Sequence, residues 1–212
     1  MTKALSQARA VALLGKLCGD MEASVEQLGD LDAKVGDGDL GVTVKLGFAA
    51  VRENLARAGD RDIGAVLAQS GMSFNRAAAS TFGTLMATLL MRAGKAAGGK
   101  AELTLSDLAA MAAAAVDGVM ERGKAAPGER TMLDALVPAR DALVEAARRG
   151  APVEEALHAA AEAAARGAEA TAGMKAKHGR AGWLADKAAG VPDAGATAVA
   201  LMLRSLSKHL GE

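Results

Sequence analysis

The sequence predicts an all-α fold: eight helices and no strand, in a single domain over residues 1–212. Apolar residues recur at helical spacing in stretch after stretch, as in Val44, Phe48, Val51 and Leu55. Composition agrees, being 51% hydrophobic but only 2% aromatic, so alanine, leucine, valine and methionine must form the core. Such an alanine-rich chain favours helix, and small side chains let helices approach closely. Turn residues such as Gly59-Asp60 and Gly98-Gly99 separate one stripe from the next.

The first thirty residues carry the stripe Leu14, Leu17, Met21, Val25 and Leu28, which Gly15 and Gly19 are placed to bend. A second helix starts near Leu40, and Ile63, Val66, Leu67 and Phe74 mark a third, ending near Asn75. The small, hydroxyl-rich run Ala77 to Thr84 then leads into a fourth helix through Leu85, Met86, Leu89, Leu90 and Ala93. Thr104 caps a fifth, with Asp107 three residues on, and Thr131 opens a sixth that Pro138 should kink. Pro152 suits the first turn of a seventh helix. From Gly173 to Gly195 periodicity is lost, over a length unusual for a plain connector and therefore a candidate functional loop. It holds His178, Arg180, Trp183, Lys187 and Asp193, the last placed to cap an eighth helix through Val199, Leu203, Leu206 and Leu210.

The stretch Gly29 to Gly41 packs four aspartates and four glycines into thirteen residues. Two carboxylates about 4 Å apart repel by roughly 4 kcal/mol at an effective dielectric of ~20, so Asp32, Asp37 and Asp39 could converge only around a cation. An all-oxygen donor set suits Mg²⁺ or Ca²⁺, and Mg²⁺ completes its shell with water and substrate phosphate. The bland alternative is a solvated Asp/Gly turn between helices. Gly36-x-Gly38-x-x-Gly41 mimics a dinucleotide fingerprint, but no strand precedes it and its aspartates would face a pyrophosphate. The EF-hand spacing fails, and Gly118 to Lys124 lacks the hydroxyl and the preceding strand of a phosphate-binding Walker loop. Thr43, in the first turn of the second helix, either meets a phosphate or caps its own helix.

Lys+Arg and Asp+Glu both number 25, so no basic field exists to attract nucleic acid. The lone Cys18 is expected in the core. With no amino-terminal apolar signal and no apolar span of membrane length, the expected location is cytoplasmic. His158 and His209 fall on predicted helices, as surface or capping residues.

These segments, in order, resemble the DhaL family, the nucleotide-binding subunit or domain of dihydroxyacetone kinases. The resemblance rests on Leu31-Asp32 with Val35-Gly36-Asp37-Gly38-Asp39 and Gly41, on Gly47-Phe48 and Gly71-Met72, and on Arg122 to Ala125 with Pro127-Gly128. Further blocks are Thr131 to Leu136, Gly179-Arg180-Ala181, and Asp193 to Thr197. It implies an antiparallel eight-helix barrel whose loops at one end hold two Mg²⁺ ions through Asp32, Asp37 and Asp39, with ADP or ATP phosphates above them. By the same resemblance Leu40, Gly41, Val42, Thr43, Thr81, Phe82, Gly123, Met132, Arg180, Asp193, Ala194 and Gly195 border the nucleotide, and Arg180 meets the migrating phosphoryl group. Two positions depart from the family pattern: Leu40 stands where histidine is usual, and the glycine-poor Ala79 to Thr84 replaces a Gly-rich phosphate loop.

The implied function is a phosphotransferase subunit that passes a phosphoryl group to a small ketose held by a substrate-binding partner subunit, with a phosphocarrier subunit or ATP as the source. A homodimer is compatible with the sequence. The alternative is a non-catalytic regulatory module that binds ADP and Mg²⁺, and a plain helical scaffold is the third reading.

Overall fold

The computed structural model describes residues 4–178 and 190–211. Strand β1 (Ala4–Ser6) leads into helices α1 (Gln7–Ala23), α2 (Val25–Ala33), α3 (Leu40–Leu55), α4 (Ile63–Ala77) and α5 (Thr81–Ala97). Strand β2 (Glu102–Thr104) follows, then α6 (Leu105–Gly123), α7 (Leu133–Arg149), α8 (Val153–Ala170), a 3-10 turn (Thr171–Gly173) and α9 (Ala194–Leu210). The expected all-α architecture holds, with two refinements. The first predicted helix is divided at Ser24, whose hydroxyl donates to the Asp20 carbonyl at 2.9 Å, while Gly15 and Gly19 lie inside an unbroken α1. A short antiparallel pairing, β1 with β2 through Leu5 and Leu103, was not expected.

Local chemistry sets the helix ends. Thr104 and Asp107 form a reciprocal capping box on α6, Asp62 caps α4 and Ser80 caps α5, each satisfying N–H groups that a helix start leaves without partners. The sixth predicted helix begins two residues late, at Leu133, and α7 runs through Pro138 as one helix. Pro152 sits one place before α8, as its N-cap.

Successive helices pack side by side from α3 to α9, and α9 returns against α1 to close the ring, with α1 and α2 together making one stave. Short connections make neighbours antiparallel. Alternate connections therefore fall at the same end, and residues 34–39, 78–80, 124–132 and the flanks of 171–193 all meet at one mouth. The opposite end carries the β1–β2 pair and Gln7, whose amide donates to the Gly59 and Arg61 carbonyls. Between the ends lies a core of small and aliphatic side chains centred on Met21, Val44, Phe74, Met86 and Leu133, all within 1% of complete burial. Phe48 and Phe74 meet edge to face at 5.3 Å. Among the described residues no helix is long and apolar enough to cross a membrane.

Candidate metal and nucleotide site

Asp32 ends α2, Asp37 stands in the connection and Asp39 is the residue before α3, so two helices and a six-residue link bring three carboxylates to one place. One oxygen from each lies within 4.8 Å of the others, with Asp32 half-buried and Asp37 and Asp39 exposed. The turn is held from inside. Asp32 accepts at its carbonyl from Val35 N–H (3.0 Å) and Gly36 N–H (2.6 Å), and at Oδ2 from Leu40 N–H (3.3 Å). Gly38 adopts φ +75°, the left-handed region that a side chain resists, and so lets the chain reverse between Asp37 and Asp39. At Gly41 a Cβ would stand 2.5 Å from the Val25 carbonyl oxygen, so only glycine allows α3 to start this close to α2.

Asp39 carries no side-chain capping bond to α3, although it stands at the N-cap position. Its carbonyl instead accepts from Thr43 N–H at 3.0 Å. Three hard oxygen donors gathered at a helix start, with solvent access for further ligands, fit Mg²⁺ by donor type and by openness.

A groove of about 630 Å³, linked to this cluster through the Thr43–Ser80 bond, is lined by Ser80, Thr81, Thr84, Arg122 and Gly123 among others, a size in the range of small-molecule sites. Ser80 accepts from Gly83 N–H at 3.0 Å and from the Thr43 hydroxyl at 3.2 Å. Thr43 thus neither caps α3 nor stays free; it is buried and tied to α5. Phe82 packs partly against the core, and its ring edge and Met132 lie where a Cβ on Gly195 would be 3.7 Å from each. Leu40, Met132 and Ala194 are buried, whereas Val42 is 58% exposed on the outside of the barrel. Arg180, Trp183 and Lys187 lie outside the described residues.

Asp193 caps α9 by accepting from Ala196 N–H at 2.7 Å, and its own N–H donates to Thr171 Oγ1 at 2.7 Å. The residue keeps some solvent contact, yet enough atoms crowd its carboxyl that burial pushes its pKa up to about 6, against the pull of the Ala196 bond and the Arg130 charge. The neighbouring carboxylates Asp134 and Asp32 add to the rise.

Three residues of the mouth were not singled out as site residues from the sequence. Asp134 accepts from Gly128 N–H (2.5 Å) and Thr131 N–H (2.8 Å) and so shapes the 124–132 connection. Arg130, only 3% exposed and at φ +60°, donates to the carbonyls of Met174 (3.4 Å) and Val191 (2.8 Å), joining both flanks of the long loop. Glu129 pairs with His178 at 2.6 Å and Lys177 at 3.2 Å. The Ala126 N–H, then His178 and Lys177, hold its carboxyl down at about 2. Only the Thr131-x-x-Asp134 spacing, a capping pattern, could have pointed to any of these. His209 is also not a surface residue: its side chain is 11% exposed and its ring meets Asp20 at 2.9 Å, on an oxygen that also accepts from Ser205 at 2.8 Å.

A family model, the DAK2 domain, matches residues 34–208; Asp37, Asp39 and the later mouth residues fall inside that span and Asp32 just before it. The chain is 37% identical to the ADP-binding subunit DhaL of the PEP-dependent dihydroxyacetone kinase of Escherichia coli, over 90% of this chain and 91% of that one. It is also 37% identical to a D-erythrulose kinase of Mycolicibacterium smegmatis, over 94% of this chain but only 34% of the longer relative. Among solved structures, the dihydroxyacetone kinase of C. freundii in complex with AMP-PNP and Mg²⁺ superposes with a TM-score of 0.74 at 25% identity, covering 99% of this chain and 35% of that one.

Proposed function

The chain belongs to the DAK2 domain family, and on that premise we propose that it is the nucleotide-holding subunit of a dihydroxyacetone-type kinase. The observation that carries this reading is the cluster of Asp32, Asp37 and Asp39, whose following helix is tied through Thr43 to Ser80 on a groove of nucleotide size. Asp32, Asp37 and Asp39 hold Mg²⁺, as two ions, and the groove past Ser80 and Thr81 takes ADP or ATP. Mg²⁺ held by these three carboxylates would supply charge neutralisation for the phosphate oxygens, which with positioning is most of what phosphoryl transfer needs.

The chain's own residues position and shield. In the first turn of α3, between Leu40 and Thr43, whose own N–H groups are taken by Asp32 and Asp39, the Gly41 and Val42 N–H groups are assigned to the anion, and Thr81 with Gly123 lines the groove. Phe82, Met132, Ala194 and Gly195 form an apolar wall, and Asp193 fixes the start of α9 beside it. Arg180 is assigned as the cation that meets the migrating phosphoryl group. In the transfer, the bond from the terminal phosphorus to the nucleotide breaks as a bond to a ketose hydroxyl oxygen forms, and the hydroxyl proton leaves to a base on the partner.

The partner is a subunit that binds the small ketose, because so few atoms give weak affinity unless the sugar is anchored elsewhere. The relative in Escherichia coli is named as a subunit of a PEP-dependent kinase, which favours a phosphocarrier subunit as the phosphoryl source and a cytoplasmic setting. The test is a sugar-phosphate assay in which the chain, Mg²⁺ and nucleotide are combined with a ketose-binding subunit of this kinase type. Turnover that depends on both proteins is expected. Tight Mg²⁺-dependent ADP binding without turnover, with either phosphoryl source, would instead establish the regulatory module.

A further inference from the structure

On the outer wall of the barrel, between α3 and α4, lies a second concavity of about 480 Å³ that shares no lining residue with the groove at the mouth. Arg57, Arg61 and Arg76 line it together with the neutral donors Gln69 and Ser73, and Glu53 is the one carboxylate among the lining residues. The small side chain of Ala50 leaves the floor open. Arg57 and Arg61 stand just past the C-terminal end of α3 and Arg76 in the last turn of α4, so along this antiparallel pair the cations sit toward the two ends of the groove.

Arg61 is already set in place. Its Nε donates to the Ala58 carbonyl at 3.0 Å, and its Nη2 to the carbonyls of Arg57 at 2.5 Å and Asn54 at 3.5 Å. Gln7 in turn donates to the Arg61 carbonyl at 3.2 Å, which pins the loop that carries it. A guanidinium held this way has little conformational freedom left to lose on binding. Three arginines against one carboxylate leave the lining with a net positive charge, which favours an anion, and the fork geometry of arginine matches the oxygens of a phosphate group. The volume suits a small molecule.

We propose that this groove is a second, separate binding site for a phosphate-bearing small anion. It is independent of the kinase reading, because it uses no residue of the mouth. The test is calorimetric titration of inorganic phosphate, pyrophosphate and glucose 6-phosphate into the whole chain, in EDTA and at constant ionic strength, since salt screens exposed charge. Wild type should bind at least one probe saturably. The exposed pair R57Q/R76Q should bind it at least about tenfold more weakly, and R76E alone should weaken it too, with thermal melting unchanged in both variants. Tighter binding of glucose 6-phosphate than of inorganic phosphate would identify an ester as the ligand, and the reverse would identify the free ion. Failure of all three probes to bind wild type, or undiminished binding by R57Q/R76Q, overturns the proposal.

Discussion

The hydroxyl of Thr43 donates to the hydroxyl oxygen of Ser80 at 3.2 Å, and through that bond the helix that leaves the acidic loop is tied to the helix that opens the groove. Ser80 does double duty, because the same oxygen accepts from Gly83 N–H as the N-cap of α5. Removing it by Ser80→Ala should cost about 1–2 kcal/mol in urea unfolding. Thr43→Val removes only the tie, leaves the cap intact, and should cost about 1 kcal/mol or less. Equal losses from the two substitutions would show that the cap contributes nothing beyond the tie.

Asp193 gives a pH signature of unusual sign for a carboxylate. Its folded pKa, about 6, lies above the ordinary 3.8. The folded state therefore binds the proton more tightly, so stability is full below 3.8 and declines as pH rises through 6. Asp193→Asn retains an oxygen that can accept from Ala196 N–H and removes the titration. The stability of Asp193→Asn relative to wild type should be greater at pH 7.5 than at pH 4.5, by up to roughly 2 kcal/mol at 1.4 kcal/mol per pKa unit, since part of the titration is already complete at pH 4.5. A difference that does not vary with pH would mean that Asp193 does not titrate in this range.

Glu129 behaves in the opposite sense. Its folded pKa, about 2, lies below the ordinary 4.5, so the bonds to Ala126, His178 and Lys177 stabilise the protein fully above 4.5 and are lost as pH falls toward 2. Glu129→Gln should lower the melting temperature at pH 7, and the gap to wild type should narrow between pH 4.5 and pH 2.5. A gap that widens in acid would contradict the assignment.

The parts of this fold that were legible in the sequence are those written in neighbouring residues. The i, i+4, i+7 stripes located the staves, Thr104 with Asp107 gave a capping box, and Asp193 gave the start of α9. The break at Ser24 was missed because the serine bonds its own preceding turn without any glycine or proline to announce it. The β1–β2 pair was missed because three-residue strands carry no readable alternation. In the site, the clustering of Asp32, Asp37 and Asp39 was legible because a short glycine-rich link leaves them few other arrangements. Arg130 was not, since its partners Met174 and Val191 are distant in sequence and are backbone carbonyls, which carry no residue-type signal.

The reading as a subunit predicts that the chain supplied with Mg²⁺, ATP and dihydroxyacetone forms no sugar phosphate alone. The described residues are taken up by the ring of helices and its connections, and none of its described histidines lies at the mouth except His178, which is engaged by Glu129. A coupled assay for ADP release and phospho-sugar should stay at background until a ketose-binding subunit is added. Robust sugar phosphate from this chain alone would point to a self-contained kinase.

The most direct test of the metal-bridged nucleotide site is equilibrium binding of labelled ADP to wild type and to Asp37→Asn, each measured with Mg²⁺ and with EDTA. The account predicts tight binding by wild type only with Mg²⁺, a loss of at least about tenfold in Asp37→Asn, and a melting temperature for the liganded variant close to that of the ligand-free protein. Asp37→Asn binding Mg²⁺-ADP as tightly as wild type, or wild type binding ADP equally well in EDTA, would contradict it.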